Sequence, residues 1–320
     1  MSHAVIDVND LGVIYRTGFR RKRVPAVRGA SFDVRRGEIF GFIGPNGAGK
    51  TTTMRVLMGL IRATSGSCTI FGQPIPSRDA RRRLGFLPES PYFYDYLDVR
   101  ELIDLTGRLF GLDRQARARR ADELIALVGL EHALDKPMRK YSKGMLQRAG
   151  IAQALVNDPE LVVFDEPMSG LDPIGRKEVR DVILSLRDRG KTVFFSTHIL
   201  PDVEMVCDRV AFIVNGEVRG VGSLAEVAGA SVLGTDLAFR IAGELTDEAL
   251  AKLEARAVSA RRRDRDVFVS LHADTDVDDV LALARELGLS VVSVATRHHT
   301  LEDVFLETAA EGESPEGATS

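Results

Sequence analysis

The chain is poor in cysteine: among 320 residues only Cys68 and Cys207 occur, far apart and beside no paired Cys or His. That excludes a disulfide framework and a zinc site and leaves two ordinary thiols of a reducing compartment. It also lacks a long apolar run. Nothing approaches the roughly 18–20 residues of a membrane span. The opening Met1-Ser2-His3-Ala4-Val5-Ile6-Asp7 has neither the basic nor the apolar region of a signal peptide. A cytoplasmic location is expected, with any membrane work done through another chain. A third absence is charge of one sign: 43 Lys and Arg stand against 46 Asp and Glu, for a net charge of −3 and a pI near 6.1. The basic excess of a nucleic-acid binder is missing, so direct contact with nucleic acid is not expected. The one dense basic run, Arg20-Arg21-Lys22-Arg23, lies between Gly18 and Pro25 and reads as a solvated turn between strands.

What is present is an ordinary globular composition, 44% hydrophobic and 28% charged, long enough for one large domain and a small one. Residues 3 to about 40 alternate apolar and polar positions, as in Ala30-Ser31-Phe32-Asp33-Val34, which predicts an antiparallel β layer. Ile39-Phe40-Gly41-Phe42-Ile43 then reads as a buried strand entering a Gly-rich turn, with a helix over Thr51–Leu60 behind it. From Val99 to Gly129 the apolar spacing is helical. The continuous apolar runs Leu161–Phe164 and Thr192–Phe195 suit central parallel strands, and helices are expected near 174–189 and 199–206. After Gly222 the pattern changes. Strands at 236–241, 257–271 and 290–296 alternate with helices near 246–255 and 275–287, which predicts a split βαβ sandwich. Thr300-Leu301-Glu302-Asp303 fits a capping box, and the polar tail after Ala310 reads as disordered.

Two segments carry chemistry. Gly44-Pro45-Asn46-Gly47-Ala48-Gly49-Lys50-Thr51 satisfies the G-x-x-x-x-G-K-[ST] pattern in a strand–turn–helix context. Its glycines let successive backbone N–H groups converge on phosphate oxygens, and the helix N-terminus adds partial positive charge. Lys50 is expected to bridge the β- and γ-phosphates and the Thr51 hydroxyl to ligate Mg²⁺. The strand Leu161–Phe164 ends in Asp165-Glu166, at the strand end where the phosphate loop also sits. Asp165 is expected to hold Mg²⁺ through water, and Glu166 to orient or deprotonate the attacking water.

With Tyr141-Ser142-Lys143-Gly144-Met145-Leu146-Gln147-Arg148 added, the first 225 residues or so resemble an ATP-binding cassette (ABC) ATPase. The match to that family's signature, usually Leu-Ser-Gly-Gly-Gln, implies that Ser142, Lys143, Gly144 and Met145 face the ATP of a partner subunit, so that one copy is half an active site. Ser169-Gly170-Leu171-Asp172-Pro173 is similar to the family's D-loop, with Asp172 at the interface, and His198 to its switch histidine on the γ-phosphate. Tyr15 matches the aromatic residue that stacks on adenine, and Thr52 completes the nucleotide contacts. Leu97-Asp98-Val99-Arg100-Glu101 resembles the part of the helical insert that receives the membrane subunit.

Two departures matter. Glu89 stands where the family carries the γ-phosphate-sensing Gln; a carboxylate still ligates Mg²⁺ or binds water, but it adds negative charge beside Asp165 and Glu166. Lys143 and Met145 replace the usual Gly and Gln of the signature. The Tyr-Ser-Lys-Gly-Met form, the Leu-Pro-Glu turn and the terminal Leu301–Leu306 are similar to bacterial ABC-2-type exporters, including drug-resistance and sodium-export ATPases. The resemblance implies an α/β P-loop cassette over 1–228 with an antiparallel β layer and a helical insert at about 90–145, a small α+β accessory domain over 229–310, and a tail at 311–320. ATP and Mg²⁺ are the implied ligands, and a homodimer or cassette pair with separate membrane permeases the implied assembly. The other reading, a soluble ABC ATPase acting on nucleic acid or the ribosome, is disfavoured by the short interval from Lys50 to Ser142 and by the lack of a second cassette. For the C-terminal domain two roles stay open: a regulatory or dimer-supporting extension, and a passive cap.

Overall fold

A computed structural model of the chain describes residues 4–17, 22–228, 232–242 and 245–298. The capping box at Thr300–Asp303, the tail at 311–320 and Arg20-Arg21 of the basic run lie outside these residues. The chain divides into two compact units that part between Val227 and Ala228.

The first unit opens with antiparallel strands β1 (Ala4–Thr17) and β2 (Lys22–Arg35). Along β2 the alternation holds: Ala30, Phe32 and Val34 point into the core while Ser31 is exposed. Next come β3 (Ile39–Ile43), α1 (Lys50–Leu57), β4 (Ser65–Ile70), β5 (Gln73–Pro74), α2 (Arg78–Arg82) and β6 (Leu84–Leu87). The helical insert holds α3 (Val99–Leu109) and α4 (Arg114–Leu127). A reciprocal capping box between Asp98 and Glu101 starts α3, and the chain turns at Gly111 (φ 77°) before Asp113 caps α4. There follow α5 (Lys143–Ala154), β7 (Leu161–Phe164), α6 (Pro173–Asp188), β8 (Thr192–Thr197), α7 (Leu200–Val206), β9 (Arg209–Val214), β10 (Glu217–Ser223) and α8 (Leu224–Ala228).

Two sheets result: an antiparallel one ordered β2-β1-β4-β5, and a six-stranded one ordered β10-β9-β3-β8-β7-β6, parallel except where β10 pairs with β9. Every residue of β3, β7 and β8 is buried, which is why these strands read as unbroken apolar runs rather than alternating ones. Phe32 of β2 packs on Phe40, Phe42 and Phe194 with ring centroids 5.2–6.0 Å apart, and this cluster holds the two sheets face to face. Both thiols are buried, and burial pushes their pKa up, Cys207 further than Cys68, as expected of inert cysteines.

The second unit runs β11 (Val232–Ile241), α9 (Asp247–Glu254), β12 (Ser259–Arg263), β13 (Asp266–His272), α10 (Val277–Glu286) and β14 (Leu289–His298). Its antiparallel sheet is ordered β12-β13-β11-β14, the interleaving expected of a split βαβ sandwich. One expectation is corrected: 257–271 is not a single strand but a hairpin that reverses at Asp264, whose φ of 53° is left-handed. Leu237, Phe239, Val267, Val269 and Leu271 form its core with Leu253 and Val280.

Candidate active site

Strand order builds the site. Because β8 lies between β3 and β7, the carboxyl ends of three neighbouring parallel strands deliver the phosphate loop, His198 and Asp165-Glu166 to one edge. Ile43 is level with Thr197, and Phe164 with Phe195, so Asp165 leaves β7 opposite Ser196. The loop Gly44–Gly49 is tied down by its backbone: Gly44 N–H donates to Thr197 O at 3.3 Å, and the Ala48 carbonyl accepts from Gly216 N–H at 3.0 Å. Gly49 is the turn into α1, at φ 110°, and a Cβ there would lie 2.5 Å from the Ala26 carbonyl oxygen.

At the head of α1 a cleft of about 300 Å³ is lined by the loop residues Pro45, Asn46, Gly47 and Gly49, by Lys50, Thr51 and Thr52, and across from them by Glu89 and Glu166. Lys50 is buried; its ammonium donates to Gly44 O at 2.6 Å and Pro45 O at 3.2 Å, and stands 3.1 Å from Glu166 Oε1. That last contact is charge pairing without hydrogen-bond alignment, so Oε1 is a buried acceptor with no donor directed at it. Glu166 Oε2 meets His198 Nδ1 at 3.0 Å. Asp165, 2% exposed, accepts at Oδ1 from the hydroxyls of Thr51 (3.2 Å) and Ser196 (2.7 Å).

The remaining expected residues fall into two groups. Tyr15 projects from β1 toward the cleft rim, its hydroxyl 3.5 Å from Thr52 Oγ1. Ser142, Lys143, Gly144, Met145 and Asp172 do not line the cleft. Ser142 and Asp172 instead cap helices: Ser142 Oγ accepts from Met145 N–H at 3.2 Å to start α5, and Asp172 Oδ1 accepts from Gly175 N–H at 2.8 Å to start α6. Sequence reasoning missed Ser196. Its signal was a hydroxyl in an otherwise apolar buried strand, two residues before the histidine.

Among the described residues no group of three or more His, Cys, Asp or Glu could hold a metal by itself. That fits Mg²⁺, which is held in phosphate sites by one or two protein oxygens plus substrate phosphates and water. Thr51 Oγ1 and Asp165 Oδ1, already 3.2 Å apart beside the loop, are hard oxygen donors of the right kind.

The ABC transporter family model matches residues 27–169. An uncharacterised ABC transporter ATP-binding protein from Synechocystis sp. is 45% identical over 313 residues, covering 96% of this chain and 85% of the relative. A fluoroquinolone export ATP-binding protein of Mycobacterium tuberculosis is 41% identical over 208 residues, 63% of this chain and 67% of the relative. In three dimensions a solved ATP-binding subunit of an ABC transporter superposes with a TM-score of 0.61 at 31% identity, over 70% of this chain and 91% of that one. Sequence similarity along nearly the whole chain, together with a phosphate loop facing Asp165 and Glu166, makes the conclusion plain: the chain belongs to the ATP-binding proteins of ABC transporters.

Proposed function

We propose that this protein is the ATP-hydrolysing subunit of a membrane exporter, working as a dimer closed by ATP and seated on the cytoplasmic side of a separate permease. The observation that carries hydrolysis is Glu166: its carboxylate is buried, anchored by His198 on one oxygen, and presents the other as an unfilled acceptor beside the phosphate-binding lysine. A water held there is within reach of the γ-phosphate that Lys50 binds, and general-base help of this kind contributes about 10²–10⁴-fold. Mg²⁺ would be held by Thr51 and Asp165 and would neutralise phosphate charge. Lys50 and the loop N–H groups bind the β- and γ-phosphates, Tyr15 and Thr52 the nucleoside side, and Glu89 and His198 sense the γ-phosphate.

Dimerisation follows from the residues left outside the cleft. Ser142 uses its hydroxyl on Met145 N–H, but the first N–H groups of α5 have no preceding helical carbonyl to take them. An anion from a second chain satisfies them, which gives Ser142 and Gly144 their role across the interface. ATP then links two chains, and hydrolysis releases them, the differential contact that a conformational switch needs. Export as the direction is supported by the fluoroquinolone export relative and by the Tyr141–Met145 form of the signature.

The helical insert is the proposed docking site for the permease. A groove of about 600 Å³ between α3 and α4 carries exposed Tyr94 and Tyr96, and its Arg100, Arg108 and Arg117 are already paired with Asp122 and Asp104, so it suits an apolar segment with a polar edge. Among the described residues no helix is long and apolar enough to cross a membrane, so the translocation path is assigned to that partner. Residues 1–228 are the cassette and 229–310 an accessory domain that supports the dimer; a chain ending at residue 228 should lose dimer affinity but keep its cleft. The deciding experiment is Mg²⁺-dependent ATP hydrolysis by the purified chain, alone and with its permease. Absence of hydrolysis in both settings sinks the reading, and a salt-sensitive complex with nucleic acid points to the other class.

A further inference from the structure

Ser196 is fully buried near the end of β8, and its hydroxyl joins the two carboxylate residues. Its Oγ lies 2.9 Å from Glu166 N and 2.7 Å from Asp165 Oδ1. The direction of both bonds is fixed without seeing a hydrogen. A backbone N–H only donates, so Oγ accepts from Glu166; its single proton is then left for Asp165.

Both bonds bear on geometry that hydrolysis needs. Glu166 has φ 49°, a left-handed conformation that a residue with a side chain seldom adopts and holds only when its surroundings over-determine it. Without that turn the residue after Asp165 would continue the strand, and its carboxylate would not arrive at Lys50 and His198. The bond from Glu166 N–H to Ser196 is the side-chain contact that holds the turn. On the other side, Asp165 Oδ1 receives two hydroxyls, from Ser196 and Thr51, which fix the rotation of the carboxylate and leave Oδ2 outside that pair of bonds.

We infer that Ser196 is a positioning residue for Mg²⁺-ATP hydrolysis, orienting the metal-side carboxylate and the base-side carboxylate through one hydroxyl. This rests on the ATPase reading above. Ser196 is buried and does not line the cleft; it acts through Asp165 and Glu166.

The test compares wild type, Ser196→Ala and Ser196→Thr in three measurements: kcat and KM for ATP hydrolysis, the Mg²⁺ concentration giving half-maximal rate, and the Kd of ADP without Mg²⁺. Loss of the hydroxyl leaves a buried N–H unpaired, and the expected fall in kcat for Ser196→Ala is roughly tenfold to a hundredfold. KM and the metal-free ADP Kd should stay within about twofold, while the half-maximal Mg²⁺ concentration rises several-fold, and Ser196→Thr should recover to within about threefold of wild type. Wild-type kcat and Mg²⁺ dependence in Ser196→Ala overturns the inference. So does a Ser196→Thr protein as slow as Ser196→Ala, since the hydroxyl is then not what matters, and so does loss of metal-free ADP binding in Ser196→Ala, which marks general damage to the cleft. A wild-type protein that hydrolyses nothing fails the ATPase reading instead, so the two failures are separable.

Discussion

The lysine of the phosphate loop is paired with a carboxylate of its own chain. Lys50 Nζ sits 3.1 Å from Glu166 Oε1, and both side chains are nearly enclosed, 6% and 7% exposed. At an effective dielectric of about 20, two unit charges at that distance attract by about 5 kcal/mol, of which desolvation of both groups removes a large part. The lower part of the range found for close charge pairs, about 1.5–3 kcal/mol, is reasonable for this contact. An incoming β-phosphate must draw Lys50 away from Glu166, so nucleotide affinity is lowered by that amount. Glu166→Gln removes the competing charge while keeping the shape, and its expected effect is an ADP Kd lower by roughly tenfold to a hundredfold. ADP without Mg²⁺ is the right probe, because it has no γ-phosphate for Glu166 to repel and no turnover to confuse the titration. A second consequence has the same origin. The free variant buries an ammonium with two carbonyl partners and no counter-charge, so its Tm without nucleotide should fall, and the Tm gain on adding saturating ADP should exceed that of wild type. Calorimetric titration and thermal unfolding read the two effects. An ADP Kd and a nucleotide-free Tm both unchanged in Glu166→Gln would refute the competition argument, whatever happens to hydrolysis.

Other changes test separate links. Ser142→Arg should leave ATP binding by the monomer within about twofold and abolish ATP-driven dimerisation in light scattering together with hydrolysis; unchanged turnover contradicts the signature assignment. Gly49→Ala places a methyl 2.5 Å from the Ala26 carbonyl oxygen at a φ of 110°, so nucleotide binding should be lost or the chain should fail to fold, and a variant that binds ADP normally would show that the loop is softer than its geometry implies. Glu160 is clasped by Arg83 at 2.6 Å and Arg36 at 2.7 Å, and those guanidinium groups hold its carboxyl near a pKa of about 2 instead of 4.5. A depressed carboxylate stabilises the fold above the unfolded value and loses that contribution as pH falls from about 4.5 toward about 2. Glu160→Gln should therefore lower stability, read as Tm, at pH 7 and hardly at all near pH 2, the loss being no more than about 0.2–1 kcal/mol for each of these half-exposed pairs.

What the sequence made legible follows physical lines. The phosphate loop, Asp165-Glu166 and their supporting strands could be read because each rests on a local requirement: glycine at left-handed turns, a carboxylate pair after a short apolar run, periodicity of 2 or 3.6. The hairpin at 259–272 could not. Its reversal falls in Arg261-Arg262-Arg263-Asp264-Arg265-Asp266, with no Gly, Pro or Asn to mark it, and Asp264 adopts a left-handed turn that only its short polar side chain hints at. The break between α3 and α4 was written in Gly111 and Asp113 and is a matter of weighing stop and start signals against a continuous apolar period. Ser196 was hidden for a different reason. Its role depends on β8 being inserted between β3 and β7 in space, while in sequence it follows both, so no local pattern could show which backbone N–H it would meet.

The same topology bears on how a half-site reports the state of its partner. Lys143, the residue that departs from the usual signature, reaches the D-loop: its Nζ fills the space where a side chain on Gly170 would stand. Gly170 in turn follows Glu166 by one tight turn, closed by Ser169 N–H on Glu166 O at 3.1 Å. Within a single chain, then, the segment proposed to grip the partner's ATP touches the segment that leads back to Glu166, the proposed catalytic carboxylate. If ATP closes the proposed dimer, any shift of α5 would bear on Gly170 through Lys143, and the short turn Glu166–Ser169 would be next in line. Glu166, at the head of that turn, holds a left-handed backbone pinned by Ser196 and is paired with Lys50. Lysine at position 143 therefore gives the signature a direct mechanical contact in its own chain, which glycine, the usual residue there, has no side chain to make.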